Sequence, residues 1–370
     1  MFLTINRDTL LTPLLLVTGF IEKKHTMPIL SNIYMQKVGD KITIIANDME
    51  IQASITSSED MTGEDFTITM PGKKLQEILK AFPEGTNILF EYQDNRAIIK
   101  AGKTKFTIQC LPAEHYPLLK ITDNPICEFS LPQATLKRLI SHIQYSMAEK
   151  DSRVFLNGML FEIKNNHLSL VATDAHRLGF ITHPITEPVI NNCSAIVPRK
   201  SVLELYRLLS DSTDNITVKL YPNQVSFTMP NRELITKVID GKYPEYERVI
   251  PLNNEKLCLI NRMTMLKAVE RVAVIGIDKL RTLTVEIKNN QLALFCMNDD
   301  HEESQDEIDI ISECDDINLK LSFNINYVRD LLTYSFGENL QWAFHDEQKS
   351  ILITIPNETD FKAVLMPLRP

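Results

Sequence analysis

Two spacings of apolar residues alternate along the chain, and together they predict helices set among antiparallel hairpins. Apolar side chains recur every three or four residues in six segments, as at Leu136, Leu139 and Ile143, which is the spacing of one buried helix face. These segments begin at Thr4, Met70, Ser130, Val197, Leu259 and Phe323. Elsewhere, apolar and polar residues alternate in short runs joined by polar turns, which predicts hairpins. Helices packed on antiparallel sheets indicate an α+β fold.

The same pattern occurs three times. A strand-like run ends in a polar step at Asp48, Asp174 and Asp299, with intervals of 126 and 125 residues. The two later copies also share a turn, in FEIKNNHLSLVATD and VEIKNNQLALFCMND. A unit of this length is a domain and not a short solenoid repeat. We therefore predict three copies of one domain, at 1–126, 127–254 and 255–370.

Charge is distributed unevenly among these three repeats. The chain has 370 residues and a net charge of −9, and the repeats carry balances of −2, +1 and −8 in chain order. A hydrophobic content of 44% is ordinary for a soluble protein. The six cysteines form no CxxC pair, which favours thiols in a reducing compartment. Without an apolar run long enough to span a bilayer, the sequence predicts a cytoplasmic protein with no membrane association.

Catalytic motifs have little support in this sequence. The 11 glycines form neither a phosphate loop nor a dinucleotide-binding loop. Asp174 and His176 could be an acid–base or metal pair, but the corresponding pairs are Asp48/Glu50 and Asp299/His301, so polar strand ends explain all three better. The acidic run 299–309 lacks the spacing and glycine of a calcium loop and is more typical of an exposed edge strand.

These observations predict no catalytic residue, no metal and no cofactor. Two alternatives stay open, a metal-dependent hydrolase built on the Asp/His/Glu clusters and a monomeric peptide-binding scaffold.

The helices and two strands carry a different signal. Four of the six helical segments have a surplus of basic residues, which suits a polyanion, although solvated helix faces explain the surplus equally well. The strand-like segment 100–110 is basic, whereas 299–309 is acidic and follows the apolar pair Val274–Ile275. A basic edge and an acidic edge at opposite ends of a chain can join head to tail, so that two chains close into a ring.

Several long segments resemble the bacterial sliding clamp family, the beta subunit of DNA polymerase III. In order they read LPQATLKRLI, SMAEKDSRVFLNGMLFE, VATDAHRL, VPRKSVLEL, VIDGKYPEYERVIP and VLMPLRP. The resemblance extends over essentially the whole chain. It implies a head-to-tail homodimer, a six-domain ring whose helices line a hole for duplex DNA, and a role as a processivity factor in DNA replication without catalysis.

The resemblance also implies three sets of site residues. Partner proteins, namely the polymerase alpha subunit, the clamp loader, other polymerases and repair proteins, would dock short linear peptides in a cleft between the second and third repeats. The cleft would comprise Leu156, Thr173, Ala175, His176, Arg177, Leu178, Pro244, Val249, Val364, Met366, Pro367, Leu368 and Arg369. Sequence-independent DNA contacts would be Lys24, Lys73, Lys150, Arg153, Phe155, Arg199, Lys200 and Arg248. The dimer interface would join Lys74, Arg96, Lys103, Lys105, Phe106 and Ile108 to Val274, Ile275, Asp300, Glu302, Glu303 and Asp306.

Three positions depart from the family pattern. Val154–Phe155 stands where paired tyrosines are frequent, Ala175 stands where glycine is common, and Pro370 replaces an aliphatic last residue. They bear respectively on the DNA contact, the width of the cleft and the outermost peptide contact.

Overall fold

The computed structural model describes residues 2–21, 27–58, 61–186, 192–275, 282–313 and 317–368. Lys24 and Arg369, two of the predicted site residues, and Pro370 lie outside this range. In the first repeat the elements are β1 (Phe2–Asn6), α1 (Arg7–Val17), β2 (Asn32–Val38), β3 (Lys41–Asn47), β4 (Ile51–Ser58), β5 (Thr62–Gly63), β6 (Phe66–Pro71), α2 (Gly72–Ala81), β7 (Asn87–Gln93), β8 (Arg96–Ala101) and β9 (Thr104–Gln109).

The two later repeats give the same order of long elements. The second contains β10 (Cys127–Pro132), α3 (Gln133–Ile143), β11 (Gly158–Lys164), β12 (His167–Thr173), β13 (Arg177–Pro184), β14 (Cys193–Pro198), α4 (Arg199–Leu208), β15 (Asn215–Leu220), β16 (Gln224–Met229) and β17 (Arg232–Lys237). The third contains β18 (Lys256–Asn261), α5 (Arg262–Ala273), β19 (Thr282–Lys288), β20 (Gln291–Met297), β21 (Glu303–Asp309), β22 (Ile311–Ser312), β23 (Asn318–Asn324), α6 (Ile325–Tyr334), β24 (Asn339–Phe344), β25 (Ile351–Ile355) and β26 (Glu358–Leu365).

The six predicted helices are present, but each begins two or three residues after the start of its predicted segment. The residues before each helix form the end of a strand, as in β1, which pairs with β7. Asn6 ends β1 with an extended backbone, and its side chain accepts a hydrogen bond from the N–H of Asp8. Asn261 and Asn324 cap α5 and α6 in the same way. An asparagine cap satisfies a free N–H group of the first turn, which fixes where the helix begins.

Antiparallel sheets run across the repeat boundaries. One compact unit comprises 1–134 and 203–238, and contains a five-stranded sheet in the order β5-β1-β7-β8-β9 and an eight-stranded sheet in the order β10-β15-β16-β17-β4-β3-β2-β6. The other comprises 135–202 and 239–370, and contains a nine-stranded sheet in the order β14-β11-β12-β13-β26-β25-β24-β18-β22 and a four-stranded sheet in the order β21-β20-β19-β23. The α+β class is confirmed, whereas the predicted domain boundaries stay a prediction.

One sheet edge confirms the prediction made from the sequence, and a second edge corrects it. The acidic strand β21 pairs with β20, and among the described strands it has no second neighbour, as predicted. The basic segment 100–110 is not one strand, because β8 and β9 form a hairpin that turns at Gly102 with φ of +57°. Glycine takes this left-handed conformation at little cost, so the chain reverses there. The strand at the edge is β9.

No helix within the described residues is long and apolar enough to span a membrane.

Candidate functional site

A tight turn between β12 and β13 forms one wall of the candidate site. The Oδ1 of Asp174 accepts hydrogen bonds from the N–H groups of His176 and Arg177, both at 2.9 Å. The hydroxyl of Thr173 donates to the carbonyl of Arg177 at 2.6 Å and accepts from the N–H of Ala175 at 3.1 Å. Ala175 has φ of +73°, in the left-handed region. Asp174 is thus the cap of a turn, as the sequence predicted, and no catalytic role is needed to explain it.

The other two repeats show how far the aspartate pattern extends. Asp48 makes the same turn, since its Oδ1 accepts from the N–H groups of Glu50 and Ile51, both at 2.9 Å. In the third repeat the cap is Asn298, whose Oδ1 accepts from the N–H groups of Asp300 and Glu302. The equivalence assigned to Asp299 was therefore wrong by one residue, because this turn is longer and its left-handed residue is His301.

The last strand of the chain supplies the opposite wall. β26 pairs with β13, with Leu178 opposite Val364 and Arg177 opposite Leu365. The N–H of Met366 then donates to the carbonyl of His176 at 2.9 Å. This bond extends the pairing one residue beyond β26 and places the Met366 side chain, 39% exposed, beside the turn.

A cavity of about 350 Å³ lies between these walls, a size in the range of small-molecule sites. Its lining is mostly apolar, with a few polar groups at the turn. The residues are Arg153, Phe155, Leu156, Thr173, Ala175, His176, Arg177, Leu178, Pro244, Tyr246, Val249, Val364 and Met366. Ten of the thirteen residues predicted for the cleft are therefore brought together at one cavity.

Two other predicted cleft residues, Pro367 and Leu368, do not line it. The N–H of Leu368 donates to the carbonyl of Ser322 on β23 at 2.7 Å, so the tail turns away after Met366. Pro367 is half-buried and is not among the lining residues, and Arg369 lies outside the described range. Proline cannot donate a backbone hydrogen bond, which prevents β26 from continuing along β13.

Three lining residues were missing from the predicted cleft. Tyr246 lies in a short 3-10 helix between the predicted Pro244 and Val249, so its position next to them could have suggested it. Arg153 and Phe155 were predicted as DNA contacts, yet both line the cavity. Their DNA role stays a prediction.

Hydrogen bonds and burial fix the polar groups around the cavity. The hydroxyl of Tyr246 donates to Glu162 at 2.7 Å, and burial together with this carboxylate raises the pKa of Tyr246. Arg153 binds the Asp151 carboxylate through two nitrogens, at 3.0 and 2.9 Å. These hydrogen bonds lower the pKa of Asp151 to about 2, so the pair stays ionised at any pH near neutrality.

The other described residues predicted to contact DNA lie at helix starts and in the segments between the long elements. Lys73 is half-buried at the start of α2. Lys150 is exposed with φ of +60°, and Lys200 is exposed at the start of α4. Arg199 donates to the carbonyl of Met147 at 3.0 Å, which ties α4 to the segment before Lys150. Arg248 is exposed and forms an ion pair with Glu245.

Part of the basic surplus on the helices has structural partners. Arg262 donates to the carbonyls of Leu332 and Gly337. Arg207 pairs with Glu204 at 2.8 Å. The ion pair of Arg207 offsets one basic charge on α4, whereas Lys74 and Lys80 on α2 are exposed.

The predicted interface residues lie on α2, on the β8–β9 hairpin, just after α5, and on β21 or in the turn before it. In the first repeat Lys74, Arg96, Lys103 and Lys105 are exposed, the ring of Phe106 packs edge-on against Phe82 at 5.8 Å, and Ile108 is 3% exposed. In the third repeat Asp300, Glu302 and Glu303 are exposed, Val274 is 70% exposed, Ile275 is half-buried, and Asp306 forms an ion pair with Arg271. The side chain of Ile108 belongs to the core of its own chain, so only its backbone could take part in a contact between chains.

Within the described residues, no group of three or more His, Cys, Asp or Glu side chains is arranged to hold a metal ion. The acidic residues of 299–309 are spread along a turn and an edge strand.

Comparisons with protein families match nearly the full chain in three consecutive parts. Residues 1–120 match the N-terminal domain of the DNA polymerase III beta subunit, residues 130–245 its central domain, and residues 247–369 its C-terminal domain. The chain is 33% identical to the beta sliding clamp of Haemophilus influenzae over 366 residues, covering 99% of each protein. It is 32% identical to that of Escherichia coli K12, with the same coverage.

Solved structures give the same result. The DNA polymerase III subunit beta from Pseudomonas aeruginosa superimposes with a TM-score of 0.94 at 32% identity, covering 100% of both chains. The Pseudomonas aeruginosa sliding clamp bound to griselimycin superimposes with a TM-score of 0.95 at 32% identity and the same coverage.

Proposed function

Because the chain belongs to the DNA polymerase III beta subunit family of sliding clamps, we propose that two copies close head to tail into a ring around duplex DNA. Family members are non-catalytic processivity subunits. The ring would tether the replicative polymerase alpha subunit and other DNA-processing partners, in the cytoplasm where chromosomal DNA lies. The observation that best supports this proposal is the match of three consecutive clamp domains along the full chain.

Complementary sheet edges support ring closure. β9 carries exposed Lys105, and exposed Lys103 lies in the turn just before it. Among the described strands, the only partner of β9 is β8. β21 carries exposed Glu303 and lies at the edge of its own sheet. Bare strand edges favour pairing with another chain, and opposite charge selects the correct partner edge. A β9 edge of one chain against a β21 edge of the second, made twice, gives a closed dimer.

Retention on DNA would be topological and not a matter of affinity. Basic residues such as Lys73, Lys150 and Lys200 would contact phosphates without reading bases, which permits sliding. A closed ring cannot leave circular DNA but can slide off the end of a linear molecule.

The cavity between the β12–β13 turn and Met366 would be the docking site for partner peptides. Its apolar lining suits apolar side chains of a short segment, and the methionine can adapt to different shapes. We propose that griselimycin, which the Pseudomonas aeruginosa clamp binds, occupies the same cavity here.

The test compares retention on two DNA substrates. The protein, placed on DNA by its clamp loader, is followed by gel filtration after the circular substrate has been either left closed or cut once. We expect it to remain on circular DNA and to leave cut DNA. The variant with Lys103→Glu and Lys105→Glu should leave both, since its dimer is weakened, and this defect should diminish at high salt. Equal loss of the unaltered protein from both substrates would contradict a topological ring.

A further inference from the structure

The guanidinium of Arg177 is enclosed although the residue lines the cleft. Its side chain is 11% exposed. The Nε donates to Asp174 at 3.0 Å and the Nη1 donates to Asp330 at 2.8 Å. The guanidinium carbon also lies 4.3 Å from the ring centre of Tyr327 and 5.3 Å from that of Tyr145. Two carboxylates and two aromatic rings therefore hold this cation.

The same contacts link helix α6 to the cleft turn. Asp330 and Tyr327 lie on α6, whereas Asp174 caps the β12–β13 turn. One oxygen of Asp174 binds the guanidinium, and the other binds the N–H groups of His176 and Arg177. A continuous path thus runs from Asp330 through Arg177 and Asp174 to the backbone that forms one cleft wall.

The ring of His176 adds a second link between these elements. It stacks near Tyr327 with the ring centres 6.5 Å apart. His176 lines the cavity, and its carbonyl accepts the hydrogen bond from Met366 of the opposite wall. The ring of Tyr327 therefore lies against the side chains of both His176 and Arg177.

We propose that Asp330 and Tyr327 are positioning residues of the cleft, which fix Arg177 and through it the turn that ligands contact. The proposal rests on the proposed function of the cleft as a ligand-binding site. Helix α6 of the third repeat then sets the shape of a cleft wall that the second repeat forms. Arg177 acts from within this network, and its charge is directed at Asp174 and Asp330.

If Arg177 instead contacted an acidic ligand group directly, the Asp330→Asn variant should change ligand affinity in the opposite direction. Replacing Asp330 with asparagine would remove a competing carboxylate from a direct contact, so affinity for an acidic peptide would rise. A positioning role predicts that affinity falls, because the buried cation loses a partner and the turn shifts.

The test measures griselimycin binding by calorimetry for full-length Asp330→Asn, Tyr327→Leu, Arg177→Lys and the combined Asp330→Asn/Arg177→Lys variant. We expect each single variant to weaken binding by about 5- to 20-fold. Because Asp330 and Arg177 act together, the combined variant should bind at most about twofold more weakly than the weaker-binding of its two single variants. Glu338→Gln removes an exposed carboxylate of the same repeat and should bind like the unaltered protein.

Amide hydrogen exchange separates local positioning from general instability. The N–H groups of His176 and Arg177 should exchange faster in Asp330→Asn, while the amides of β24 and β25 keep their protection. Tyr327→Leu gives the same reading if Asp330→Asn folds poorly. The proposal would be overturned if griselimycin affinity were unchanged or increased in both Asp330→Asn and Tyr327→Leu. It would also be overturned if the fold-losses of Asp330→Asn and Arg177→Lys multiplied in the combined variant, as they do for independent sites. Failure of the unaltered protein to bind griselimycin would instead count against the proposed cleft.

Discussion

The turns at Asp48 and Asp174 have the same backbone, yet only the second opens onto the cavity described above. Met49 and Ala175 occupy the equivalent left-handed position, with φ of +76° and +73°. A strand from the following repeat reaches both turns in the same way. The N–H of Lys237 donates to the carbonyl of Glu50, as the N–H of Met366 donates to that of His176, both at 2.9 Å.

Side chains make the difference. At the first turn Lys237 and Glu50 form an ion pair at 3.1 Å, where the second turn has Met366 and His176. Met49 and Leu118 both pack against a cluster of Ile29, Leu30 and Tyr116. The side chain of Asn47, at the start of this turn, donates to the carbonyl of Pro117 at 2.7 Å, so the segment that follows Tyr116 occupies the first site with the protein's own chain.

At the second turn the corresponding segment leaves space. The hydroxyl of Tyr243 donates to the carbonyl of Val171 at 3.3 Å, whereas at the first turn the hydroxyl of Tyr116 accepts from the N–H of Asn47 at 3.2 Å. The residues after Tyr243 form a short 3-10 helix, with Tyr246 held by Glu162 and Val249 46% exposed. A repeated fold therefore yields a ligand site where the local chain stops short of filling it.

Exchanging the two side-chain pairs should have the largest effect. Met366→Lys with His176→Glu gives the second turn the pair found at the first. Griselimycin affinity, measured by calorimetry, should fall by about 100-fold or more, because an ammonium among apolar side chains must remain hydrated.

The reverse exchange is the matched control. Lys237→Met with Glu50→His should create no binding at the first turn, since Leu118 still fills it. Griselimycin binding that survives the first exchange would show that the walls identified here do not form the site.

The sequence predicted much of this arrangement. Periodicity located the helices, and the family resemblance located ten residues of the cavity lining. Pro367 and Leu368 do not line the cavity, because where the tail leaves β13 depends on a hydrogen bond to Ser322 that no local pattern encodes. Tyr246 was missed as a lining residue, because a tyrosine in a short loop helix has no periodic signal.

Truncating the residue that fills the first site and one that lines the second should give opposite results. Leu118→Ala should lower the free energy of unfolding by about 1–2 kcal/mol, since it leaves a void, without changing griselimycin affinity. Val249→Ala, at a half-exposed position, should change stability by less than about 0.5 kcal/mol but weaken binding. Urea unfolding and calorimetry on both variants measure this. Weaker binding in Leu118→Ala alone would reverse the comparison.

The smallest effect should come from the left-handed positions. Ala175→Gly relieves the cost of a positive φ and should stabilise the protein by at most about 1 kcal/mol. The gain is limited because glycine also has more conformational freedom in the unfolded chain. Met49→Gly relieves the same backbone but loses packing in its cluster, so it should destabilise. If the two variants shift the urea midpoint equally, the packing difference at the two turns is not what distinguishes them.

The number of griselimycin molecules bound per chain, with their location in a crystal structure of the complex, tests the central comparison most directly. We expect one molecule per chain, seated between the β12–β13 turn and Met366, with Leu118 still in place at the first turn. A molecule bound beside Asp48, or an empty cavity beside Asp174, would contradict the account.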